Sequence, residues 1–418
     1  MLNAKTAITI GAAIVSTSYL VAIAHAQIGG PTPEGLEEPE GVGTYDSNGI
    51  HPVTQYMEYE LGSMSLGNGA ASISYSLVYR SSRKHSVGVV WDSLGGFVKS
   101  RRPSGHCLRE SEARLGARGE ELFWEGGLGP GLPYTVNPED ERSSSQLIYN
   151  ASAQRFEYTL KDGTVAYFPS PNICASGYLS ELRRPDGEIL KYHYKSFSRD
   201  GLGRFVVYPY MRSIVSNKGF QVRYTYNGSE TASVTLVNSA IDYCDPDSDS
   251  CSYSRQWPTL YINSPTSSRV DYTFPGSNIA SLEYNLSGGY KYKINSLGRT
   301  GLPTRTFSYR TGPGSNRVSG LLSTTMGGQT TYYSENDMPG SLTYTAKTNP
   351  DGSVEKFYFD DLRENLVSKY VNGLGHETLY ETTDNLRYDR ITYSEGNKVQ
   401  VTYDARGNVI TLTKIAKP

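Results

Sequence analysis

Three aspartates alternate with other residues between two nearby cysteines, and this spacing suggests two kinds of chemistry. The aspartates are Asp245, Asp247 and Asp249, and the cysteines are Cys244 and Cys251. Alternating carboxylates begin a calcium-binding loop, but Ser250 stands where such a loop needs glycine, and Gln256 where it needs a bidentate glutamate. The preferred interpretation is a turn closed by a Cys244–Cys251 disulfide in an oxidising compartment. The remaining cysteines, Cys107 and Cys174, pair only by even counting.

Basic residues outnumber acidic ones between residues 80 and 118, which makes an anion-binding surface the second candidate. Its members are Arg80, Arg83, Lys84, Arg101 and Arg102. A cluster of this kind attracts anionic partners such as envelope polysaccharide or nucleic acid. It is not regularly interleaved with aromatic residues, so a solvated loop balanced by acidic neighbours is preferred and no nucleic acid partner is expected.

The motifs of common enzyme classes do not occur. The sequence has no Gly-x-Ser-x-Gly elbow, no His-Glu-x-x-His pair, no phosphate-binding loop and no Cys-x-x-Cys. The histidines of the expected mature chain are scattered rather than spaced as metal ligands: His51, His85, His106, His193 and His376. The sequence therefore predicts a protein that is not an enzyme and that holds no cofactor or metal.

The first 26 residues have the pattern of a secretory leader. Lys5 precedes a long apolar run, and Ala24-His25-Ala26 supplies the small residues before a cleavage site at Gln27. An uncleaved anchor is the alternative, since the run is long for a leader. After cleavage no later segment is apolar enough to span a membrane. We expect a secreted, periplasmic or cell-surface bacterial protein.

The composition favours short strands. The 418 residues include 43 Gly, 21 Pro and 34 Tyr, and the net charge is −2, from 40 basic and 42 acidic residues. Many turn formers with many tyrosines are typical of β-proteins, and residues 72–79 and 156–160 alternate polar with apolar side chains. We predict a flexible linker at 27–44, an N-terminal β domain at 45–205 and a repeat region at 206–418.

The repeat region rests on a recurring interval. A glycine opens a strand, and an Asp or Asn follows eight residues later: Gly219 and Asn227, Gly328 and Asn336, Gly352 and Asp360, Gly396 and Asp404. Five residues after the glycines stand Tyr224, Tyr333, Phe357 and Val401, and seven after stand Tyr226, Glu335, Phe359 and Tyr403. These two positions share one face of a strand, so the pattern predicts that each unit turns a mostly aromatic pair to the same side.

The Asp or Asn that closes a unit has a predicted structural role in a turn. Asp404 and Gly407 occupy the first and fourth positions of a type I turn, where the carboxylate caps backbone N–H groups. Residues 46–49 and 295–298 have the same arrangement and are predicted to form turns as well. Asp360, Asn336 and Asn227 are assigned the same structural role.

Residues 401–410 resemble the YD repeat of the rearrangement-hotspot (RHS) family, with Tyr403-Asp404 followed by Gly407 and Asn408. Residues 327–332 and 372–380 are similar to linking strands of that family, residues 88–96 to its Trp-bearing N-terminal segment, and residues 161–167 to its Asp-Gly-Thr strand entry. The resemblance implies an all-β fold, an antiparallel meander or spiral sheet that can form a shell around a carried toxin. The chain stops at Pro418 without a toxin tail, so a partial shell is expected.

The last strand-like run, residues 408–415, is expected to be an edge. Alternation places Val409, Thr411, Thr413 and Ile415 on one face and Ile410, Leu412 and Lys414 on the other. An unpaired β-branched strand is a template for another chain, so a protein partner or a second copy is predicted to add there.

Three functions remain open from the sequence. The first is a secreted, non-enzymatic structural or interaction module at the bacterial envelope. The second is the N-terminal shell part of an RHS-type toxin-delivery system with separately encoded cargo. The third is a protein that binds or hydrolyses envelope polysaccharide.

Overall fold

Strands are the regular elements of this protein. The computed structural model describes residues 45–81, 89–100, 110–116, 120–125, 133–136, 145–171, 175–199, 206–228, 230–285, 293–311, 318–337, 342–360, 366–382, 387–404 and 409–417. Strands take up well over half of these residues, far above the usual 20–25%, which confirms the all-β prediction. Within this part of the chain no helix has the length and apolar character to cross a membrane. The predicted leader and linker lie outside the described residues.

The first three strands form a small antiparallel sheet with β2 in the middle. They are β1 Glu58–Asn68, β2 Ala71–Arg80 and β3 Val89–Asp92. Alternate residues of β2 are buried, namely Ile73, Tyr75, Leu77 and Tyr79. This confirms the period-two interpretation of residues 72–79.

All later strands join one large antiparallel sheet. Its first part comprises β4 Gly96–Ser100, β5 Glu110–Leu115, β6 Glu120–Glu125, β7 Pro133–Val136, β8 Gln146–Asn150, β9 Arg155–Thr159, β10 Val165–Pro169, β11 Gly177–Tyr178, β12 Glu181–Arg183 and β13 Ile189–Arg199. Its middle part comprises β14 Val206–Ser216, β15 Phe220–Asn227, β16 Glu230–Asn238, β17 Thr259–Thr266, β18 Arg269–Phe274, β19 Asn278–Tyr284, β20 Ile294–Arg299, β21 Leu302–Thr311 and β22 Val318–Met326. Its last part comprises β23 Gln329–Asp337, β24 Leu342–Thr348, β25 Val354–Asp360, β26 Leu366–Val371, β27 Glu377–Thr382, β28 Tyr388–Thr392, β29 Lys398–Tyr403 and β30 Val409–Ile415.

Most strands of the large sheet pair with the next strand along the chain, as a meander requires. Two pairings depart from that order: β10 pairs with β12, and β11 pairs with β4 through Gly177 and Val98. The early strands of this sheet therefore return to their own first strand. On either side of the predicted boundary at residue 205, β13 and β14 pair from Leu190 to Arg199, with one register shift at Tyr194. The division into two domains stays a prediction.

A four-residue turn ending in glycine connects many of the hairpins. In each turn the glycine has positive φ and donates its N–H to the carbonyl three residues earlier: 160–163, 184–187, 216–219, 349–352, 372–375 and 393–396. A type I turn followed by a left-handed residue suits the twist of an antiparallel hairpin. Gly219, Gly352 and Gly396 of the predicted repeat have this role. Gly328, with φ 79, lies instead in a two-residue turn with Gly327.

The repeat positions form the core, as the sequence predicted. All four residues five positions after a repeat glycine are buried: Tyr224, Tyr333, Phe357 and Val401. Seven positions after, Phe359 is buried, and Tyr226 and Tyr403 are partly buried against the core. One core cluster spans residues from Ile50 to Tyr333, and a second unites Val53 with residues between Phe357 and Leu412.

The small sheet lies against strands from distant parts of the large one. Tyr75 of β2 and Tyr224 of β15 have ring centroids 6.2 Å apart, and Tyr59 of β1 lies 5.7 Å from Phe307 of β21. Strands β15 and β21 are six strands apart in the meander. The large sheet therefore curves around the small one.

One predicted turn is wrong. Residues 295–298 lie inside β20, where Leu297 pairs with Leu282 and is buried. Gly298 does not have positive φ. Burial of Leu297 and pairing with β19 outweigh the local turn preference of an Asn-x-x-Gly segment. The predicted turn at residues 46–49 is confirmed, since Gly49 N–H donates to the Asp46 carbonyl at 2.8 Å.

Candidate functional site

The segment before β1 is held against the large sheet by polar side chains. Asp46 caps its own turn by accepting the N–H groups of Asn48 and Ile50 at 2.8 and 3.0 Å. Its other carboxylate oxygen accepts the Tyr333 hydroxyl of β23 at 2.7 Å. Asp46 therefore fixes a local turn and a contact 287 residues away in sequence.

Asn48 and Gln55 extend this attachment to the strands around β21. Arg305 donates to Asn48 Oδ1 at 2.8 Å, and Arg310 donates to Gln55 Oε1 at 2.8 Å. Gln55 Oε1 also accepts the backbone N–H of Leu321 at 3.0 Å. These charge-assisted bonds hold the segment at a defined register on the sheet.

A buried lysine links this segment to the C-terminal part of the sheet. Lys347 Nζ lies 3.7 Å from Asp46 Oδ2 and 3.1 Å from Glu355 Oε1. Glu355 also accepts bonds from Asn349 at 2.8 Å and Tyr370 at 2.8 Å. Burial opposes ionisation of Glu355, but these hydrogen bonds and the Lys347 charge outweigh it and lower the pKa of the carboxyl.

Next to the segment lies a cavity of about 1150 Å³, between the small sheet and the large one. Its floor includes buried leucines of both sheets, such as Leu61 and Leu297. Part of its rim is formed by the ends of β20, β21 and β22: Arg299, Leu302, Pro303, Arg305 and Met326. We call these five residues the arginine rim. The volume is close to the upper end of the range for small-molecule sites, about 300–1,000 Å³.

The two arginines of the rim lack carboxylate partners among the residues the structure describes. Arg305 bonds to Asn48 rather than to an acid. Arg299 is half-buried and its Nε–H has no hydrogen-bond partner within the described chain. Burial lowers the pKa of Arg299, Glu60 opposes that effect, and the Arg305 charge adds to it. The guanidinium pair can therefore accept an anion.

The Cys244–Cys251 segment forms a second structured site. The two cysteines are joined by a disulfide, with Cα atoms 5.8 Å apart. Arg223 of β15 donates to the carbonyls of Asp245 at 2.9 Å, Pro246 at 3.2 Å and Ser248. Three loop carbonyls bound by one guanidinium explain how the loop is held on the sheet.

Two aspartates of that loop contact basic side chains of the sheet, and the third caps a backbone N–H of the loop. Asp247 Oδ1 lies 3.1 Å from His193 Nδ1, and Asp249 Oδ1 accepts from Arg212 Nε at 3.0 Å. Asp245 caps the N–H of Asp247 at 2.9 Å. The described residues contain no cluster of His, Cys, Asp or Glu arranged to hold a metal. The loop is a turn closed by a disulfide, as the preferred interpretation of the sequence predicted.

Of the five residues of the predicted basic surface, Arg80 lies within the described residues. Arg80 forms an ion pair with Glu58, with Nε 2.8 Å from Oε2, so its charge is balanced. Arg83, Lys84, Arg101 and Arg102 lie outside the described residues, as do Cys107 and Cys174. The surface stays a prediction.

The predicted closing residues of the repeat units are mostly at the limit of the described chain. Asn227 is exposed at the end of β15, where it pairs with Glu230 across a tight hairpin. Asn336 and Asp360 lie in the last residues of β23 and β25. Asp404 follows β29 and is half-buried, whereas Gly407 is outside the described residues. The Asp404–Gly407 turn therefore stays a prediction.

A set of tyrosine hydroxyl bonds was not foreseen. In each, the hydroxyl donates to the carbonyl of the residue 15 positions earlier: Tyr194 to Leu179, Tyr226 to Met211, Tyr309 to Ile294 and Tyr403 to Tyr388, at 2.6 or 2.7 Å. Each tyrosine stands at a shift of strand register. We call these bonds tyrosine latches; they satisfy backbone carbonyls near irregular points of the sheet.

The same set shows that the repeat begins earlier than predicted. Tyr192 and Tyr194 stand five and seven residues after Gly187, whose φ is 82, and Tyr192 is buried. The interval was overlooked because Lys195 occupies the position where the pattern required Asp or Asn. The aromatic pair after a turn glycine was the better signal.

Strand β30 has one pairing partner, β29, among the described residues. Val409 pairs with Tyr403 and Leu412 with Val401, both toward the core, while Ile410 is 63% exposed. A bulge at this point changes the alternation, so the predicted grouping of Ile410 with Leu412 is wrong.

Comparisons with known proteins give weak structural likenesses. No family model and no curated protein matches the sequence. A porin-like protein from Bacteroides uniformis matches 73% of this chain and 95% of its own, with 9% identity and a TM-score of 0.23. The matching structures also include components of Tc toxins.

Two Tc structures illustrate these matches. A TcdB2-TccC3-Cdc42 structure covers 82% of this chain with 11% identity and a TM-score of 0.33. The Photorhabdus luminescens Tc holotoxin pore covers 89%, with 11% identity and a TM-score of 0.23. This chain spans 19% and 24% of those two chains. With every TM-score below 0.5, these likenesses support no conclusion about function.

Proposed function

We propose that this protein is a secreted, non-enzymatic YD-repeat scaffold that acts as a structural and interaction module at the bacterial envelope. One observation carries the proposal: the repeated side chains serve the sheet itself. The aromatic residues after each turn glycine are buried or packed on the core, and four tyrosines latch the backbone. Side chains used in this way build an extended surface rather than a reaction centre.

The proposed contact with a protein partner or a second copy is the exposed side of β30. Ile410 is 63% and Ile415 is 42% exposed there, and β29 is the one strand that pairs with β30 among the described residues. Strand addition supplies backbone hydrogen bonds along the edge and pockets for alternate side chains. The exposed isoleucines would be covered by the added strand.

Analytical ultracentrifugation of the expected mature chain, residues 27–418, tests the contact at β30. We expect a concentration-dependent dimer, or a stable complex with an envelope protein, that is lost in the double variant Ile410→Lys/Ile415→Lys. Leu374→Lys is the matched control, because Leu374 is 82% exposed on a hairpin turn far from β30 in sequence. Association that survives the β30 double variant would contradict the assigned contact.

Secretion and lack of catalysis have their own measurements. Expression with the native leader should give an exported protein whose first residue is Gln27. Incubation with envelope polysaccharide should release no new reducing ends. Cleavage that disappears on substitution of one acidic residue would replace the scaffold proposal with the hydrolase alternative.

The second candidate is the shell part of an RHS-type delivery system with separately encoded cargo. The observation that favours it is the curvature of the large sheet around an interior. Within the described chain that interior holds the small sheet and a cavity of small-molecule size. A protein cargo would therefore need additional strands. Protection of a co-expressed cargo from protease would support this candidate.

A further inference from the structure

The arginine rim combines two features that proteins seldom leave together on a surface. Leu302 is 57% and Met326 is 38% exposed, and Pro303 beside them is exposed as well. Arg299 and Arg305 stand on the neighbouring strands β20 and β21, where Arg299 pairs with Leu302 in register. An exposed apolar patch next to unneutralised guanidinium groups marks a binding surface.

The hydrogen bonds that the two arginines make, and those that they lack, indicate the charge of a ligand that would bind at the arginine rim. A guanidinium has five N–H donors in a planar fork that matches a carboxylate. The Arg299 side chain makes no hydrogen bond or ion pair within the described residues, and its Nε–H is buried. Arg305 donates through one terminal nitrogen to Asn48 at 2.8 Å and to Thr324 at 3.5 Å, and its other terminal nitrogen lies 3.4 Å from the Met326 sulfur, so these contacts hold it in place. An anion beside Arg305 would satisfy the Arg299 Nε–H, which has no acceptor within the described residues.

No acid that lines the cavity forms an ion pair with Arg299 or Arg305 among the described residues, and Asp46 is bound to Tyr333 at 2.7 Å. Asp186 is bound to Lys218 at 2.7 Å, and Glu58 is paired with Arg80. Glu60, an exposed residue of β1, is the acid that acts on Arg299, but it does not reach ion-pair distance. Glu60 therefore weakens an incoming anion at long range without occupying its place.

From these contacts we infer that the arginine rim binds a small amphiphile with one carboxylate head and an aliphatic body. The head lies between Arg299 and Arg305, and the body covers Leu302, Pro303 and Met326 and extends into the cavity of about 1150 Å³. This site goes beyond the scaffold role and does not depend on it. Loss of either would leave the other intact.

Calorimetry with four probes separates the two parts of the ligand. Octanoate has both head and body, 1-octanol has the body alone, acetate has the head alone, and octylammonium reverses the charge. We expect octanoate to bind the mature protein at least about tenfold more tightly than the other three, as an Arg–carboxylate pair with apolar burial predicts. Equal binding of octanoate and 1-octanol, or no octanoate binding, would overturn the inference.

Substitutions at the rim then assign the residues. Arg299→Gln and Arg305→Gln should each weaken octanoate about tenfold and leave 1-octanol unchanged. Glu60→Gln should tighten octanoate about twofold, because it removes a like charge across the cavity. Arg269→Gln is the matched control, since Arg269 is paired with Asp271 at 2.8 Å and does not line the cavity.

The opposite effects of Arg299→Gln and Glu60→Gln keep the test independent of folding. A general loss of structure would weaken binding in both variants and would alter the melting curve. Octanoate affinity that is unchanged in both arginine variants, or lowered by Glu60→Gln in a protein that melts normally, would refute the site.

Discussion

At the scale of single residues, tyrosine is the side chain that defines this protein. Its ring fills the core positions of the repeat, and in four places its hydroxyl satisfies a backbone carbonyl beside a register shift. A hydrophobic ring with a polar tip is suited to a position where the ladder is interrupted. The abundance of tyrosine therefore has a structural cause.

Replacement of Tyr226 by Phe tests a single latch. It removes the 2.6 Å bond to the Met211 carbonyl but keeps the ring over which Lys195 lies at 4.7 Å. We expect a loss of about 1 kcal/mol in the free energy of unfolding, measured by denaturant titration. Tyr261→Phe, at a 59% exposed position of β17, should change stability by less than about 0.5 kcal/mol. Equal effects of the two substitutions would show that the Tyr226 hydroxyl bond does not stabilise the protein.

Glu355 should make the stability of the protein depend on pH. The folded pKa lies below the unfolded value of about 4.3, so the contribution is fully present above that pH and is lost as pH falls through the folded pKa. Glu355→Gln should lower the free energy of unfolding by about 1–2 kcal/mol at pH 7. The difference from the wild type should shrink as pH falls below the unfolded value of about 4.3, because the unfolded wild-type chain then takes up a proton that the folded Glu355 resists. A gap that is the same at pH 7 and pH 3 would contradict an ionised Glu355.

At the scale of elements, the hairpins depend on left-handed glycines. Gly352 has φ 85 with open space where a Cβ would stand, so strain alone opposes a side chain there. Gly298 lies in β20 without positive φ, and a Cβ would make an ordinary 3.7 Å contact with Ser281. The two glycines separate a turn requirement from a tolerated strand glycine.

Substitution of both glycines by Ala should therefore have different outcomes. Gly352→Ala should destabilise the protein by about 1–2 kcal/mol, the cost of a left-handed L-residue. Gly298→Ala should be neutral or slightly stabilising, because it reduces the freedom of the unfolded chain. Thermal melts of both variants measure this difference in stability. A large loss in Gly298→Ala would restore the turn that the sequence predicted at residues 295–298.

The disulfide loop is held by one covalent bond and by Arg223. Its seven-residue separation predicts that Cys244→Ser/Cys251→Ser loses about 2.5 kcal/mol through the entropy of the unfolded chain. The loop carbonyls still reach Arg223, so hydrogen exchange should rise in residues 242–257 and change little in β15. Fast exchange across β13 to β15 would show that the disulfide supports the sheet directly.

At the scale of the whole molecule, two core clusters divide the stability. The first contains the small sheet and strands as far as β23, and the second joins Val53 to residues between Phe357 and Leu412. Asp46, Lys347 and Glu355 form a polar connection between them. A destabilising substitution in one cluster should therefore increase local unfolding in that cluster before it affects the other.

Phe359→Ala is such a substitution, since Phe359 is 1% exposed. Truncation of a buried Phe costs about 3–5 kcal/mol. We expect hydrogen exchange to accelerate in β24 to β30 while β13 to β16 stay protected. Uniform acceleration over the whole chain would mean that the two clusters unfold as one unit.

The sequence by itself determined the class of fold, the faces of several strands and the positions of many turns. Period-two alternation placed β2 and β9, and the glycine interval located the strand starts and the buried aromatic positions. These features are local, because strand faces and positive-φ turns depend on residues a few positions apart. Lys195 stands where the interval required Asp or Asn. The unit that contains the aromatic pair Tyr192 and Tyr194 was therefore not predicted from the sequence.

Only the tertiary structure decided which distant residues meet. Asn48 and Arg305 are separated by 257 positions, and the contact of Arg223 with the disulfide loop followed from the docking of that loop on the sheet. The strand at residues 295–298 also required its neighbours, since pairing with β19 and burial of Leu297 overcame a local turn signal. The arginine rim arises in the same way. Its rim residues are ordinary in sequence, and the curvature of the large sheet around the small one places them at a cavity.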